Sequence, residues 1–265
     1  MTIVAAVKEA HEYVAGAIQR ADELNVGRGH GPLNHFWHTS CRPLIRNPMP
    51  VTDYLWNNSL LLYETIQGHG FVQGILDGTL PKESFQFFLE QDRQFLNTFD
   101  ERLSVIVSKA PSSLRKELSD ILEAGSNEKE MITHLTSNYR KITDSFLNTQ
   151  LAPNNQLYLS FLTTVTREQP YYIGLASVLA CFLLYNKIGH YLRDNQAKDI
   201  YAQWIEYYCG NEFTSSVTKL RTFMDKVSVN LSPGERERML EYFKTAMKME
   251  FMFWEMSLKR QNWPL

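Results

Sequence analysis

Between Phe85 and Ile106 the apolar residues fall on one helical stripe: Phe85, Phe88, Leu89, Phe95, Leu96, Phe99, Leu103 and Ile106. Asp92 sits inside that stripe, one turn from Phe88 and Leu89 and one turn from Phe95 and Leu96. Near the C-terminus a second stripe, Phe243, Met247, Trp254 and Leu258, is interrupted in the same way by Glu250. A stripe of this period specifies a helix packed on a core, so both carboxylates are directed inward. Burying an ionised carboxylate without partners costs several kcal/mol. Each acid must therefore be paired, held protonated, or turned toward a polar ligand in a cavity. A single acid of this kind is ordinarily a structural group bound to an arginine or to backbone donors. Two of them, far apart in sequence, suggest a pocket inside a helical protein.

The same period runs through most of the chain. Val4 to Leu24 is amphipathic, and a break from Gly27 to Pro50 follows, with Gly29, Gly31, Pro32, Pro43 and Pro48 between. Residues 1–50 are expected to form an N-terminal helix and arm, an extension to a helical domain over 51–265. In that domain Asp53 is placed to cap a helix carrying Leu55, Leu60, Leu61 and Ile66, which ends near Gly68 and Gly70. Gly78-Thr79-Leu80-Pro81 turns the chain into the Asp92 helix. Further helices are expected from Ser112 to Ala124, Glu128 to Phe146, Pro153 to Glu168, Tyr171 to Arg193, Ile200 to Cys209 and Glu212 to Val227. Ser232-Pro233-Gly234-Glu235 has the spacing of a capping box with proline at the first helical position, and opens the last helix, to Arg260. There is no strand alternation, internal repeat or sustained heptad. The predicted class is all-α.

Composition limits what such a bundle does. With 265 residues, 44% hydrophobic and 12% aromatic, the chain can bury a full core and line a pocket with rings. A formal net charge of −2 without a long basic run leaves no footprint for nucleic acid. The apolar run from Ile173 to Tyr185 is too short to cross a bilayer, and no secretory leader pattern is evident, so a soluble cytoplasmic protein is expected. Cys41, Cys181 and Cys209 are odd in number and widely spaced, which fits neither a disulfide framework nor a CxxC metal site.

Cys181 lies within the longest apolar helix. A cysteine there is ordinarily a small hydrophobe; nothing local lowers its pKa, so activation has to come from groups on other helices. Tyr158, Tyr185 and Tyr208 fall on helical segments, each readable as a core aromatic, and Tyr201, Trp204 and Tyr208 make one face aromatic. Metal ligation is poorly served. Glu64 and His69 do not share a helical face, and the His190, Asp194 pair continues to Ala197, which is no ligand. His30, His35, His38 and Cys41 match no zinc spacing and read as surface groups. No phosphate loop or Ser-His-Asp signature is present.

Together these residues resemble the TenA family (thiaminase II, aminopyrimidine aminohydrolase). The resemblance rests on Asp77-Gly-Thr-Leu-Pro81, Phe88-Leu-Glu-Gln-Asp92, Leu179-Ala-Cys181 with Tyr185, Tyr201-Ala-Gln-Trp204 with Tyr208 and Phe213, and Glu250-Phe-Met-Phe253-Trp254. It covers the chain from about residue 54 to its end, in the family's order. It implies a haem-oxygenase-like multi-helix bundle and hydrolysis of the exocyclic C–N bond of aminopyrimidines, or of thiamine, in thiamine salvage. By position, Asp92 matches the aspartate that holds the aminopyrimidine edge, and Cys181 the nucleophile that adds to the ring. Tyr158 matches the tyrosine hydrogen-bonding near that thiol, Tyr208 an aromatic packed on the pyrimidine, and Glu250 the acid and base. Phe95, Tyr185 and Phe253 complete the expected pocket. Phe95 replaces the family's usual tyrosine and removes a hydroxyl; Ala180 replaces a frequent proline.

The resemblance further implies a homo-oligomer, with a tetramer favoured, and Trp56, Trp204 and Trp263 offer apolar surface to bury between subunits. No cofactor, nucleic acid or membrane partner is implied. Two alternatives stay open, a metal-dependent oxidase of the same bundle class and a non-enzymatic pyrimidine-binding or regulatory protein.

Overall fold

The computed structural model describes residues 2–21, 32–35, 37, 49–123, 127–143 and 150–264. Among these residues every regular element is helical. The chain divides into two compact units, Met1–Met49 and Pro50–Leu265.

In the first unit, α1 spans Ile3–Gln19 and is capped by Thr2, whose Oγ1 accepts from the Ala5 amide. It ends earlier than the apolar pattern suggested, and Leu24 lies outside the described residues. The Tyr13 hydroxyl donates to the carbonyl of His35 at 2.9 Å, and the Trp37 indole N–H donates to the carbonyl of Tyr13 at 2.8 Å. Gly16 is required here, because a Cβ would stand 2.2 Å from the Trp37 ring. His30, His38 and Cys41 lie outside the described residues.

The second unit begins with three short helices where one was expected: α2 (Val51–Asn57), α3 (Leu60–Gln67) and α4 (Gly70–Asp77). Asp53 is not a cap. It lies in the first turn of α2, where its carboxylate accepts from Arg221 at 2.7 Å. The chain breaks at Ser59, whose hydroxyl returns to the carbonyl of Leu55, so Leu60 and Leu61 leave the stripe and are 42% and 77% exposed. Gly70 opens a helix instead of following one. The preceding His69 caps it, Nδ1 accepting from the Phe71 amide, while Nε2 meets Glu255 at 3.0 Å. Gly78 closes α4 with φ of 72°, a left-handed cap that a side chain would strain.

The long helices follow: α5 (Lys82–Lys109), α6 (Ser112–Glu123), α7 (Asn127–Thr143), α8 (Pro153–Glu168) and α9 (Tyr171–Asp194). A 3₁₀ turn at Asp199–Tyr201 leads to α10 (Ala202–Cys209), α11 (Asn211–Val227) and α12 (Pro233–Lys259). The capping box of α12 forms as expected: the Ser232 hydroxyl accepts from the Glu235 amide, and the Glu235 carboxylate from the Ser232 amide. By length and hydropathy α9 could cross a membrane, a correction to the short run read from the sequence. However, 83% of its most apolar window is buried, and it packs on α5, α8, α10, α11 and α12 as the centre of the bundle. The core along α5 is a cluster of rings: Phe71, Phe85, Phe88, Trp204, Tyr185 and Trp254. Trp204 belongs to it at 1% exposure, so it offers no surface to a second subunit. Trp56 is half-buried against Tyr63, and Trp263 is 45% exposed.

Candidate active site

Helices α5, α7, α8, α9 and α12 line one internal cavity whose free volume, about 10 Å³, is room for about one water molecule. Asp92, Phe95, Leu96 and Phe99 come from α5, Glu128 from the first turn of α7, Tyr158 from α8, Cys181 and Tyr185 from α9, and Glu250 and Phe253 from α12. Helical phase does this directly. Asp92 shares the face of Phe88, Phe95 and Phe99, so a chain that buries those rings carries the carboxylate in with them.

Neighbours fix the register between helices. Gln91, next to Asp92, accepts the Ala152 amide and the Asn155 side chain on its Oε1, both at 3.0 Å, and its own carbonyl takes Asn155 Nδ2 at 2.8 Å. These bonds join α5 to the start of α8 and set the level of Tyr158.

The polar atoms form one network around Glu250, which is 2% exposed. The Tyr158 hydroxyl donates to Glu250 Oε1 at 2.8 Å. Cys181 and Tyr185 line the same cavity as this carboxylate, and the Trp254 indole N–H donates to the Tyr185 oxygen at 3.2 Å. On the other side the Tyr208 hydroxyl donates to Glu128 Oε1 at 2.6 Å. Asp92 Oδ2 is buried and accepts no hydrogen bond.

Burial is the largest influence on every one of these acids. It raises Glu250 from 4.5 to about 7, against the lowering effect of the Tyr158 hydrogen bond and of the Cys181 thiol beside it. It raises Glu128 to about 7, opposed by the Tyr208 bond. Asp92 is pushed well above the usual carboxylate range by burial and then by the charges of Glu128 and Glu250. The same burial and the same acids push the Cys181 thiol up, so at rest it is protonated. Three carboxyl groups thus face a cavity lined by no lysine or arginine among the described residues. The arrangement suits a ligand that carries hydrogen-bond donors or positive charge.

Seven of the residues singled out in the sequence line this cavity: Asp92, Phe95, Tyr158, Cys181, Tyr185, Glu250 and Phe253. Phe95 packs its ring on Tyr158 at 5.1 Å and faces Phe253 at 6.3 Å, in place of any polar contact. Tyr208 stands one layer back, not on the wall as an aromatic for the ligand. Its ring lies 4.9 Å from Tyr185 and its hydroxyl holds Glu128. Glu128 was missed. It sits in Asn127-Glu-Lys-Glu130, which reads as the solvated first turn of a helix, and no local pattern marks it as buried. Among the described residues no three of His, Cys, Asp and Glu stand where they could hold a metal ion. His190 meets Thr214, and Asp194 pairs with Arg193.

The family model described as TENA/THI-4/PQQC matches residues 56–260, most of the chain. The chain belongs to this family. A Helicobacter pylori aminopyrimidine aminohydrolase is 28% identical over 79% of this chain and 99% of that protein. A Corynebacterium efficiens thiamine biosynthesis multifunctional protein, ThiED, is 25% identical over 96% of this chain, which spans only 38% of that relative's length. Among solved structures, a TenA homologue from P. horikoshii OT3 superposes with a TM-score of 0.66 at 30% identity, covering 79% of this chain and 98% of that one. The fold is the all-α haem-oxygenase-like bundle.

Proposed function

We propose that this chain is a cytoplasmic hydrolase that breaks the exocyclic C–N bond of aminopyrimidines in thiamine salvage, acting on 4-amino-5-aminomethyl-2-methylpyrimidine and on thiamine. The observation that carries this reading is the convergence of Cys181, Glu250 and an unpartnered Asp92 oxygen on one cavity. A relative of known name, the Helicobacter pylori aminopyrimidine aminohydrolase, supports it.

In this reading Asp92 receives the donor edge of the aminopyrimidine, a charge-assisted contact that orients the ring. Glu250 takes the thiol proton as the sulfur forms a bond to a ring carbon, which breaks aromaticity and places the electron pair on the ring. As the exocyclic C–N bond breaks, an ammonium substituent leaves as ammonia and takes up the proton from Glu250. The thiazolium of thiamine leaves instead as neutral thiazole, and Glu250 sheds its proton to water. Water adds its oxygen to the exocyclic carbon and a proton to Glu250, and loss of the C–S bond restores the ring and the thiol. A group with a pKa of about 7 serves as base and acid in turn near neutrality. Tyr158 holds the carboxylate in place throughout.

Purified protein incubated with the aminomethylpyrimidine, and separately with thiamine, tests the reading. The expected product is the hydroxymethylpyrimidine, with ammonia or the free thiazole released. Absence of product from both substrates contradicts it and favours a binding or regulatory role for the pocket.

A further inference from the structure

The cavity continues past Glu128. An adjoining cavity is lined by Leu96, Phe99 and Glu128, which it shares with the first, and by Asp100, Leu103 and Leu122. Asp100, Leu103 and Leu122 in turn line a surface groove along α5 and α6. Glu128 therefore stands where the closed site meets a track to solvent. Asp92 presents its unpartnered oxygen inside the cavity, and Glu250 and Cys181 act on the ring from α12 and α9. A substituent leaving by this track, and water entering by it, would pass Glu128. One oxygen of Glu128 is held by Tyr208, which fixes the carboxyl in that position.

We propose that Glu128 is a specificity-determining residue, receiving the positively charged substituent on the exocyclic carbon while Asp92 holds the opposite edge of the ring. The inference rests on the aminopyrimidine reading of the site and deepens it. Recognition is then divided: Asp92 reads the ring, and Glu128 distinguishes an ammonium group from a neutral one. Lys129, which lines the adjoining cavity, is exposed, and its charge is largely spent on water.

Calorimetric titration of the full chain with 4-amino-5-aminomethyl-2-methylpyrimidine and with the neutral 4-amino-2,5-dimethylpyrimidine tests it. The wild-type protein is expected to prefer the charged compound, and Glu128→Gln to lower that preference about tenfold or more, the size of a lost charge-assisted contact. Tyr208→Phe, which keeps the acid but removes its anchor, is expected to lower the preference by a smaller factor, and it keeps the test decisive should Glu128→Gln fail to fold. A preference that survives both substitutions overturns the proposal, as does an equal loss of affinity for both compounds, which marks a structural role. If the wild-type protein binds neither compound, the aminopyrimidine reading itself fails and the inference falls with it. That outcome is distinguished by silence before any substitution is made.

Discussion

Burial sets the chemistry of individual residues in this cavity. Glu128 and Glu250 both rise from 4.5 to about 7, chiefly by desolvation. An acid whose folded pKa exceeds its unfolded value holds more protons folded than unfolded between the two. Its stability contribution is therefore present at low pH and is lost as pH rises through that window. The ligand-free protein should melt at lower temperature at about pH 8 than at about pH 5.5. Glu250→Gln removes one of these charges and can still accept the hydrogen bond from Tyr158. It should flatten the pH dependence and raise stability at about pH 8 by on the order of 2 kcal/mol. Thermal melts across pH check this, and a variant less stable than wild type with an unchanged slope contradicts it. Asp92 and Glu250 were legible in the sequence because each interrupts an apolar stripe. Glu128 was not, because its neighbours are polar and its burial comes wholly from tertiary packing over the first turn of α7.

At the scale of elements, the site depends on how closely α9 meets α10. Gly189 allows that approach: a Cβ there would lie 2.9 Å from the Cys209 amide nitrogen and from Tyr208 Cβ. Asn186, one turn earlier, donates to the Tyr208 carbonyl at 2.8 Å. Gly189→Ala must push α10 away, and overpacking of this kind costs about 1–3 kcal/mol. Denaturant unfolding should show that loss; an unchanged midpoint would mean that the interface has slack. The long helices were legible because their apolar period is sustained and their starts are marked by Pro153, Pro170 and the Ser232 capping box. The α2–α4 region was not. Leu60 and Leu61 are apolar yet exposed, and local bonds from Ser59 and His69 interrupt what the residue pattern reads as continuous.

At the scale of the molecule, the pillar α9 organises the second unit, and Cys181 and Tyr185 lie on it with the rest of the cavity assembled around them. The family resemblance leads us to expect a homo-oligomer, a tetramer first. Leu61, Leu157, Val229 and Trp263 are exposed apolar residues available for such contacts, where Trp204 is not. Light scattering of purified protein should give the mass of an assembly, and a monomer at micromolar concentration contradicts the expectation. The central claim is that the cavity performs hydrolysis through the Cys181 sulfur, and single-turnover kinetics of Cys181→Ser with the aminomethylpyrimidine test it most directly. A serine hydroxyl is far less readily ionised than a thiol, so the account predicts retained substrate binding with the chemical step slowed by on the order of a hundredfold or more. A variant that binds and hydrolyses the substrate at close to the wild-type rate would contradict it, returning Cys181 to a packing role and leaving the chemistry to the acids.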